Sequence, residues 1–199
     1  LSIVLKDFVV EGLNEAGLSA GLFYFPHYGN YPVYDAKQNT RTVADLQLVA
    51  WMLSQFSTIE EIKAAMQDIR VVSVDTTGAS STVHWRIGDA NGRQVVLEFV
   101  DGVPCFYENE IGVLTNSPGF PWQMTNLNNY VNLYPGGAEA HQLGGVTIFP
   151  FGAGSGFQGI PGDVTPPSRF VRAAFYKATA PQCATAYDAV LQSFHILNN

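Results

Sequence analysis

An asparagine near the middle of the chain has the setting of a group that stabilises negative charge. Asn116 follows the short apolar run Ile111–Leu114, which we expect to be a buried strand. The residues Thr-Asn-Ser-Pro stop a strand and bend the backbone, so Asn116 would lie at a strand's carboxyl end. An amide there can donate a hydrogen bond to a developing oxyanion. The alternative is that Asn116 bonds the backbone of its own turn, as asparagine commonly does.

Arg169 is the second residue whose position predicts a partner. Pro166 and Pro167 precede it, and because proline favours the start of a helix, Arg169 is expected in a first helical turn. A cation there opposes the positive end of the helix dipole, so an anionic or hydrogen-bonding partner is expected. A surface arginine paired with Asp163 is the alternative, and the residues alone leave both open.

Two short motifs have the wrong context for the chemistry they resemble. Gly17–Gly21 matches the G-x-S-x-G nucleophile pattern, but strand-like aromatic residues follow it where that motif requires a helix. Gly152–Gly159 resembles a phosphate-binding loop, but it has no lysine and no helix directly after it. Neither a hydrolase elbow nor a nucleotide site is predicted.

The histidines do not predict a metal site. They are scattered singly, at His27, His84, His141 and His195, and no pair has the spacing of metal ligands on a helix face. His84 alternates with apolar residues in a predicted strand, so it is expected to face solvent or a polar contact. We assign no metal and no cofactor.

The composition is that of a globular protein. The 199 residues suffice for one domain with a sizeable core, and 47% of them are apolar while 14% are charged. A formal net charge of -7 with scattered basic residues argues against a nucleic-acid partner. No apolar run reaches the roughly 20 residues of a membrane span, so no membrane partner is expected. Cys105 and Cys183 match no metal motif, and their redox state is left open.

The elements that must position these groups predict an α+β protein with antiparallel sheets. We expect a hairpin of strands over 1–10 and 18–25, helices over 43–56 and from 57 or 58 onward, and a second hairpin over 81–100. Strands at 103–107 and 111–114 follow, then helices at 122–133, 170–178 and 185–197 around a glycine-rich loop at 134–162. Asn91-Gly92 is a strong hairpin signal. Thr42 is expected to cap the first helix, and Thr58 with Glu61 is a capping box for the second.

Five motifs taken together resemble the choloylglycine hydrolase family, which includes conjugated bile-acid hydrolases and penicillin V acylases. In chain order they are Gly12–Leu18, Leu114–Pro118, Asn126–Asn128, Gly159–Asp163 and Ser168–Arg172. The resemblance runs from about Gly12 to the end of the sequence. It implies an N-terminal-nucleophile amidase with a four-layer αββα sandwich of antiparallel sheets, here a single domain over 1–199 that is truncated at both ends. It also implies a homo-oligomer, since tetramers are usual in this family.

The resemblance assigns roles to three residues by position. Asn116 matches the oxyanion-hole asparagine of the Leu-Thr-Asn-Ser-Pro motif, Tyr24 matches the position whose backbone N–H is the second donor, and Arg169 matches the arginine beside the nucleophile. In this family an N-terminal cysteine attacks the amide carbonyl, and its free amine serves as the base. That cysteine, with the Arg and Asp that follow it, is expected upstream of the present sequence, because Cys105 and Cys183 are internal. The chain as written is expected to be inactive by itself.

The substrate implied by the resemblance is a small amide. Bile-acid hydrolases usually carry Asn at the position of Tyr24, whereas penicillin V acylases usually carry Tyr, so a penicillin-V-like acyl amide is slightly preferred over a bile salt. The aromatic side chains expected to bind a flat acyl group are Phe23, Phe25, Tyr28 and Trp122. A non-catalytic binding module or pseudoenzyme remains the alternative from another class. The compartment, bacterial cytoplasm or periplasm, stays open.

Overall fold

The structure, a computed structural model, describes residues 2–5, 8–74 and 82–198 of the chain. It divides into two compact units after Pro121, and each unit is described by itself. Within the described residues, the first unit contains a six-stranded antiparallel sheet with helices, and the second contains helices and a small hairpin. This mixture of helices and antiparallel sheet is the predicted α+β class.

The first unit is organised by its large sheet. In chain order its elements are β1 (Ser2–Leu5), β2 (Phe8–Leu13), β3 (Ser19–Tyr24), β4 (Thr42–Ala44), α1 (Leu48–Gln55), α2 (Ile59–Ala65), β5 (Arg70–Val72), β6 (Val83–Gly88), β7 (Gln94–Val100) and β8 (Val103–Glu108). The sheet has the order β1-β2-β3-β6-β7-β8, with antiparallel neighbours throughout. β4 and β5 form a separate parallel pair.

The core of this unit lies between the sheet and its two helices. α1 contacts β2 and β3. The fully buried apolar side chains include Leu48 and Met52 of α1, Ile59 and Ile62 of α2, and Trp85, Ile87, Val95 and Leu97 of the sheet. Burying one such side chain contributes about 1.5–3 kcal/mol. The predicted capping box of α2 is confirmed: Thr58 Oγ1 accepts from Glu61 N–H, and the Glu61 carboxylate accepts from Thr58 N–H.

Asn14, in the first of the five motifs, ties the β2–β3 turn to the end of α1. Its amide nitrogen donates to Leu53 O at 3.0 Å and to Phe56 O at 2.7 Å. Its amide oxygen accepts from Ala16 N–H at 3.1 Å and from Leu18 N–H at 3.0 Å. The same side chain therefore satisfies carbonyl groups at a helix terminus and shapes a tight turn.

The prediction of a strand at Ile111–Leu114 is wrong. These residues have no strand structure, although Val113 and Leu114 are buried as expected. The reason is Asn109, a buried residue just after β8. Its amide oxygen accepts from Gly112 N–H at 2.9 Å and from Val113 N–H at 3.3 Å, and its nitrogen donates to Val113 O at 3.1 Å. The side chain thus supplies the backbone bonds that a neighbouring strand would supply.

Two element boundaries also differ from the prediction. The first helix begins at Leu48 and not after Thr42, because Thr42–Ala44 pairs with β5. The buried Asp45 carboxylate then accepts from Leu46 N–H at 2.8 Å and from Val74 N–H at 3.0 Å. The single strand expected over 1–10 is two antiparallel strands, β1 and β2. The start of the β6 prediction, at Ser81, falls outside the described residues.

The second unit is mainly helical. Its elements are the greater part of α3 (Phe120–Asn126), the hairpin strands β9 (His141–Leu143) and β10 (Val146–Ile148), and the helices α4 (Pro166–Thr179) and α5 (Ala186–Leu197). A 3-10 turn over Leu127–Tyr130 follows α3, where the prediction had a continuous helix. The expected glycine-rich loop therefore contains a hairpin. Among the described residues, no helix is both long and apolar enough to cross a membrane.

Candidate active site

The structure brings Asn116 and Tyr24 into contact within the first unit. The Asn116 amide nitrogen donates to Tyr24 O at 2.7 Å, across 92 residues of sequence. Asn116 is half-buried, and Tyr24 is 55% exposed at the end of β3. The Asn116 amide thus bonds a distant strand end, whereas the alternative had it bonding the backbone of its own turn. A carboxamide carries two N–H donors, so the bond to Tyr24 O uses one of them.

The backbone N–H of Tyr24 points to the same side as this bond. Phe25 N–H donates to Thr82 O at 2.7 Å, and Tyr24 is paired with Val83 in the β3–β6 register. Because N–H groups alternate in direction along an antiparallel strand, the N–H and C=O of Tyr24 point away from β6. The register with β2 ends at the Glu11–Gly21 pair. The Asn116 amide therefore lies on the side of β3 to which the Tyr24 N–H is directed.

Further bonds hold the two backbone segments together. Ser117 Oγ donates to Pro26 O at 2.9 Å, one residue beyond Asn116 and two beyond Tyr24. The Thr82 hydroxyl donates to Phe25 O, which joins the end of β3 to the residue that precedes β6. The end of β3 is thus fixed on one side by Thr82 and on the other by residues 116–117. Such an arrangement holds hydrogen-bond donors in place before a reaction begins.

A buried pair of polar side chains, which the sequence did not predict, bonds the backbone of residues 115–120. His84 and Glu98, on the adjacent strands β6 and β7, are 0% and 1% exposed. His84 Nδ1 lies 3.0 Å from Glu98 Oε1, and His84 Nε2 lies 2.9 Å from Thr115 O, the carbonyl of the residue before Asn116. His84 therefore does face a polar contact, but it is buried. The available signal was Glu98, a carboxylate in the middle of the apolar run of β7.

The predicted substrate-binding aromatic residues fall into different environments. Tyr28 is 53% exposed and Phe23 is half-buried. Phe25, in contrast, is 1% exposed, and its ring stacks on His84 with the ring centroids 4.2 Å apart. Phe25 is therefore buried against the His84 ring and is not available to contact a substrate. Trp122 belongs to the second unit and is 48% exposed.

Arg169 lies in the first turn of α4, as predicted, and belongs to the second unit. Its Nε donates to Val164 O at 3.0 Å. Arg172, one turn later, donates to Pro161 O at 2.8 Å and to Asp163 O at 2.6 Å. Both guanidinium groups therefore bond the backbone of the segment that leads into the helix.

The Asp163 carboxylate, the alternative partner for Arg169, is occupied by hydroxyl and amide groups at the start of α4. One oxygen accepts from Ser168 Oγ at 2.6 Å, and the other accepts from Thr165 N–H at 2.9 Å and from Thr165 Oγ1 at 2.5 Å. The bond from Ser168, followed by those from Thr165, lowers the pKa of Asp163 to about 2. The motifs Gly159–Asp163 and Ser168–Arg172 thus form one hydrogen-bonded helix start.

Neither cysteine is placed like the nucleophile of an N-terminal-nucleophile hydrolase. Cys105 and Cys183 are free thiols, and each sulfur lies 3.7 Å from a backbone oxygen two residues earlier. Both are internal, so neither has a free amine. In the part of the chain that the structure describes, His, Cys, Asp and Glu side chains do not form a group of three suited to a metal ion.

The chain resembles known hydrolases in sequence and in structure. Residues 3–199 match the profile of the linear amide C–N hydrolases of the choloylglycine hydrolase family. A bile salt hydrolase/transferase of Clostridium perfringens is 36% identical over 95% of this chain and 58% of its own length. A penicillin V acylase of Pectobacterium atrosepticum is 28% identical over 83% of this chain and 40% of its own. The chain thus spans 58% of the length of the first relative and 40% of the length of the second.

The fold agrees with these matches. A variant of the conjugated bile acid hydrolase of Clostridium perfringens, known from its crystal structure, superposes with a TM-score of 0.84 and 33% identity. The superposition covers 99% of this chain and 61% of that one. It confirms the predicted αββα fold class of the N-terminal-nucleophile hydrolases. From the profile match and this likeness together, the chain belongs to the choloylglycine hydrolase family of linear amide C–N hydrolases.

Proposed function

We propose that the full-length protein hydrolyses a linear amide and that Asn116 and the Tyr24 backbone N–H form its oxyanion hole. The observation that carries this proposal is the 2.7 Å bond from the Asn116 amide to Tyr24 O, which joins two groups 92 residues apart. Tyr24 directs its N–H to the same side of β3 as the carbonyl that Asn116 binds. Two donors fixed on one side of a strand end suit a tetrahedral oxyanion.

The proposed nucleophile is an N-terminal cysteine outside the present sequence. Its thiol passes the Sγ proton to its own α-amine, and the sulfur bonds the substrate carbonyl carbon while the carbonyl electron pair moves to oxygen. The oxyanion accepts hydrogen bonds from Asn116 and Tyr24 N–H. Collapse of the tetrahedral intermediate breaks the C–N bond and leaves a thioester. The departing amine takes the proton that the α-amine of the cysteine had accepted. Water then hydrolyses the thioester, releasing the acid and restoring the thiol. Arg169 is proposed to lie beside this nucleophile.

A conjugated bile salt is the first candidate substrate. The bile salt hydrolase relative is more similar than the penicillin V acylase relative, at 36% against 28% identity. This reverses the order taken from the sequence, where Tyr24 alone favoured penicillin V. Tyr24 keeps a penicillin-V-like amide as the second candidate, because its exposed ring can pack on an aryl group. Comparing kcat/KM of the full-length protein for glycocholate and for phenoxymethylpenicillin separates the two.

The test of the oxyanion hole is Asn116→Ala in the full-length protein. We expect kcat to fall about 10²–10³-fold with KM nearly unchanged, since the lost bond would form only in the transition state. Asn39→Ala is the matched control, because Asn39 is an exposed asparagine that accepts only a 3.2 Å bond from Tyr34 among its described side-chain contacts. An Asn116→Ala variant as active as this control contradicts the proposal. A mature N-terminus other than cysteine contradicts the proposed nucleophile.

The binding-module alternative predicts a different result. It requires a full-length protein that binds amides such as glycocholate without releasing the amine. Burial of Tyr24 would favour this alternative, but Tyr24 is 55% exposed. We also propose that the protein forms a homo-oligomer, with a tetramer expected. Leu143, Val146 and Phe149 are more than half exposed on and beside the β9–β10 hairpin, which supports self-association. Light scattering on the full-length protein measures the assembly; a monomer contradicts this proposal.

A further inference from the structure

His84 and Glu98 bond the backbone on both sides of Asn116. His84 Nε2 lies 2.9 Å from Thr115 O, and Glu98 Oε1 accepts from Phe120 N–H at 2.8 Å. The two side chains also bond one another at 3.0 Å. A continuous chain of bonds therefore runs from the residue before Asn116, through the two side chains, to a residue four positions after it.

The partners fix where the protons of this chain lie. A carbonyl oxygen can only accept, so His84 Nε2 carries a hydrogen and donates it to Thr115 O. The Phe120 N–H can only donate, so Glu98 Oε1 accepts from it. The 3.0 Å contact between His84 Nδ1 and Glu98 Oε1 requires a proton between these two atoms, because two acceptors without a proton would repel each other. Because both side chains are buried, the bonds are shielded from competition with water.

The bond to Thr115 O acts directly on Asn116. That carbonyl belongs to the peptide unit that includes Asn116 N, and since the unit is planar, fixing the oxygen fixes the orientation of the Asn116 backbone. Gly119 shows how closely the loop approaches the pair, because a Cβ built on it would lie 3.0 Å from Glu98 Oε2. Phe25, the neighbour of Tyr24, stacks on the His84 ring with the ring centroids 4.2 Å apart. The pair thus touches both segments that carry the proposed donors.

We propose that His84 and Glu98 are positioning residues that hold the Asn116 loop against Tyr24 and so set the geometry of the oxyanion hole. The proposal rests on the function proposed above. It assigns no contact with substrate to either side chain. A displacement of a donor by about 1 Å is enough to lower a rate about 10²-fold, so bonds that fix the loop can affect kcat strongly.

Two substitutions of His84 separate the bond to the loop from the bond within the pair. His84→Gln places an amide N–H near the position of Nε2 and can still donate to Thr115 O, whereas His84→Asn places it near Nδ1 and reaches only Glu98. In the full-length protein we expect His84→Asn to lower kcat about 10- to 100-fold at nearly constant KM. We expect His84→Gln to recover most of that loss. Equal kcat values for the two variants, or a rise of KM in place of a fall in kcat, overturn the proposal.

Gly119→Ala provides a second variant if His84→Asn does not fold. The added Cβ would press on Glu98 Oε2 without removing any bonding group, so kcat is expected to fall while the melting temperature changes little. Gly145→Ala is its matched control, because a Cβ on Gly145 meets nothing within 4 Å. If the Gly119→Ala and Gly145→Ala proteins have the same kcat, the proposal fails.

A double-substitution cycle distinguishes the failure of this proposal from failure of the proposed function. If His84 acts through Asn116, His84→Asn adds little to the loss already caused by Asn116→Ala. Independent, multiplying losses overturn the positioning role while leaving the oxyanion hole intact. If Asn116→Ala itself retains full activity, the proposed function fails first, and the positioning role fails with it.

Discussion

Replacing Asn14 by alanine is expected to destabilise the first unit without changing the chemistry. The amide makes four hydrogen bonds, two to the end of α1 through Leu53 O and Phe56 O and two to the turn through Ala16 N–H and Leu18 N–H. A typical bond of this kind contributes about 0.5–1.5 kcal/mol net. Because the two turn bonds are partly exposed to water, we expect the free energy of unfolding to fall by about 2–4 kcal/mol.

The measurements are urea unfolding and thermal unfolding of the full-length protein, both followed by circular dichroism. For a domain of about 150–250 residues a loss of 1 kcal/mol lowers the melting temperature by about 2–4 °C, so a drop of about 4–16 °C is expected. Asn14→Asp keeps the acceptor oxygen but sets a carboxylate against Leu53 O and Phe56 O, and it should be at least as destabilising as alanine. The exposed control Asn39→Ala should change stability by less than about 0.5 kcal/mol.

The kcat of Asn14→Ala tests whether Asn14 has only a structural role. If Asn14 only holds the scaffold, the folded fraction of Asn14→Ala keeps the kcat of the parent protein at a temperature well below its melting point. A folded Asn14→Ala protein with strongly reduced kcat would refute the structural role assigned here. A melting temperature equal to that of Asn39→Ala would refute the energy derived from the four bonds.

Two further substitutions test single buried or capping groups. Tyr31→Phe should lower the free energy of unfolding by about 1–3 kcal/mol, because the phenol both donates to Val83 O and accepts from Val83 N–H at 2.9 Å, and unchanged stability in urea would contradict this. Ser168→Ala should raise the pKa of Asp163 from about 2 toward 3.8, which carbon NMR of the carboxyl group can follow. Since the folded-state pKa of Asp163 is depressed, the bonds to its carboxylate stabilise the protein above pH 3.8 and lose that effect as the pH falls through about 2. A Ser168→Ala variant whose stability in acid equals that of the parent protein would contradict this stabilising role.

Local signals in the sequence predicted the parts of the fold whose causes are local. The Asn91-Gly92 pair gave the β6–β7 hairpin, and Thr58 with Glu61 gave the start of α2, because a turn and a cap are each decided within a few residues. The prediction failed where distant residues decide. The prediction has a helix over 43–56 capped by Thr42, but Thr42–Ala44 is a strand, and its parallel partner β5 lies 28 residues further along the chain.

The candidate site shows the same division. Chemistry alone made Asn116 a candidate, but only the family resemblance selected Tyr24, because a backbone N–H has no side-chain signature. Their contact depends on a β3 register and on a loop without regular structure, and neither is encoded within a short window. Arg169 was placed correctly at the start of α4, yet its neighbours there were not predicted, since Asp163 bonds Ser168 and Thr165.

The buried pair of His84 and Glu98 was not predicted, although the sequence contains a signal for it. Glu98 interrupts the apolar run of β7, and His84 interrupts that of β6, so each was a polar residue at a position that burial on both faces of the sheet would make unfavourable. Two such residues on adjacent strands of one hairpin can lie side by side, and each then supplies the hydrogen bond that the other requires when buried. Their remaining bonding capacity must then be met by backbone, and here it is met by Thr115 and Phe120, the loop that presents Asn116.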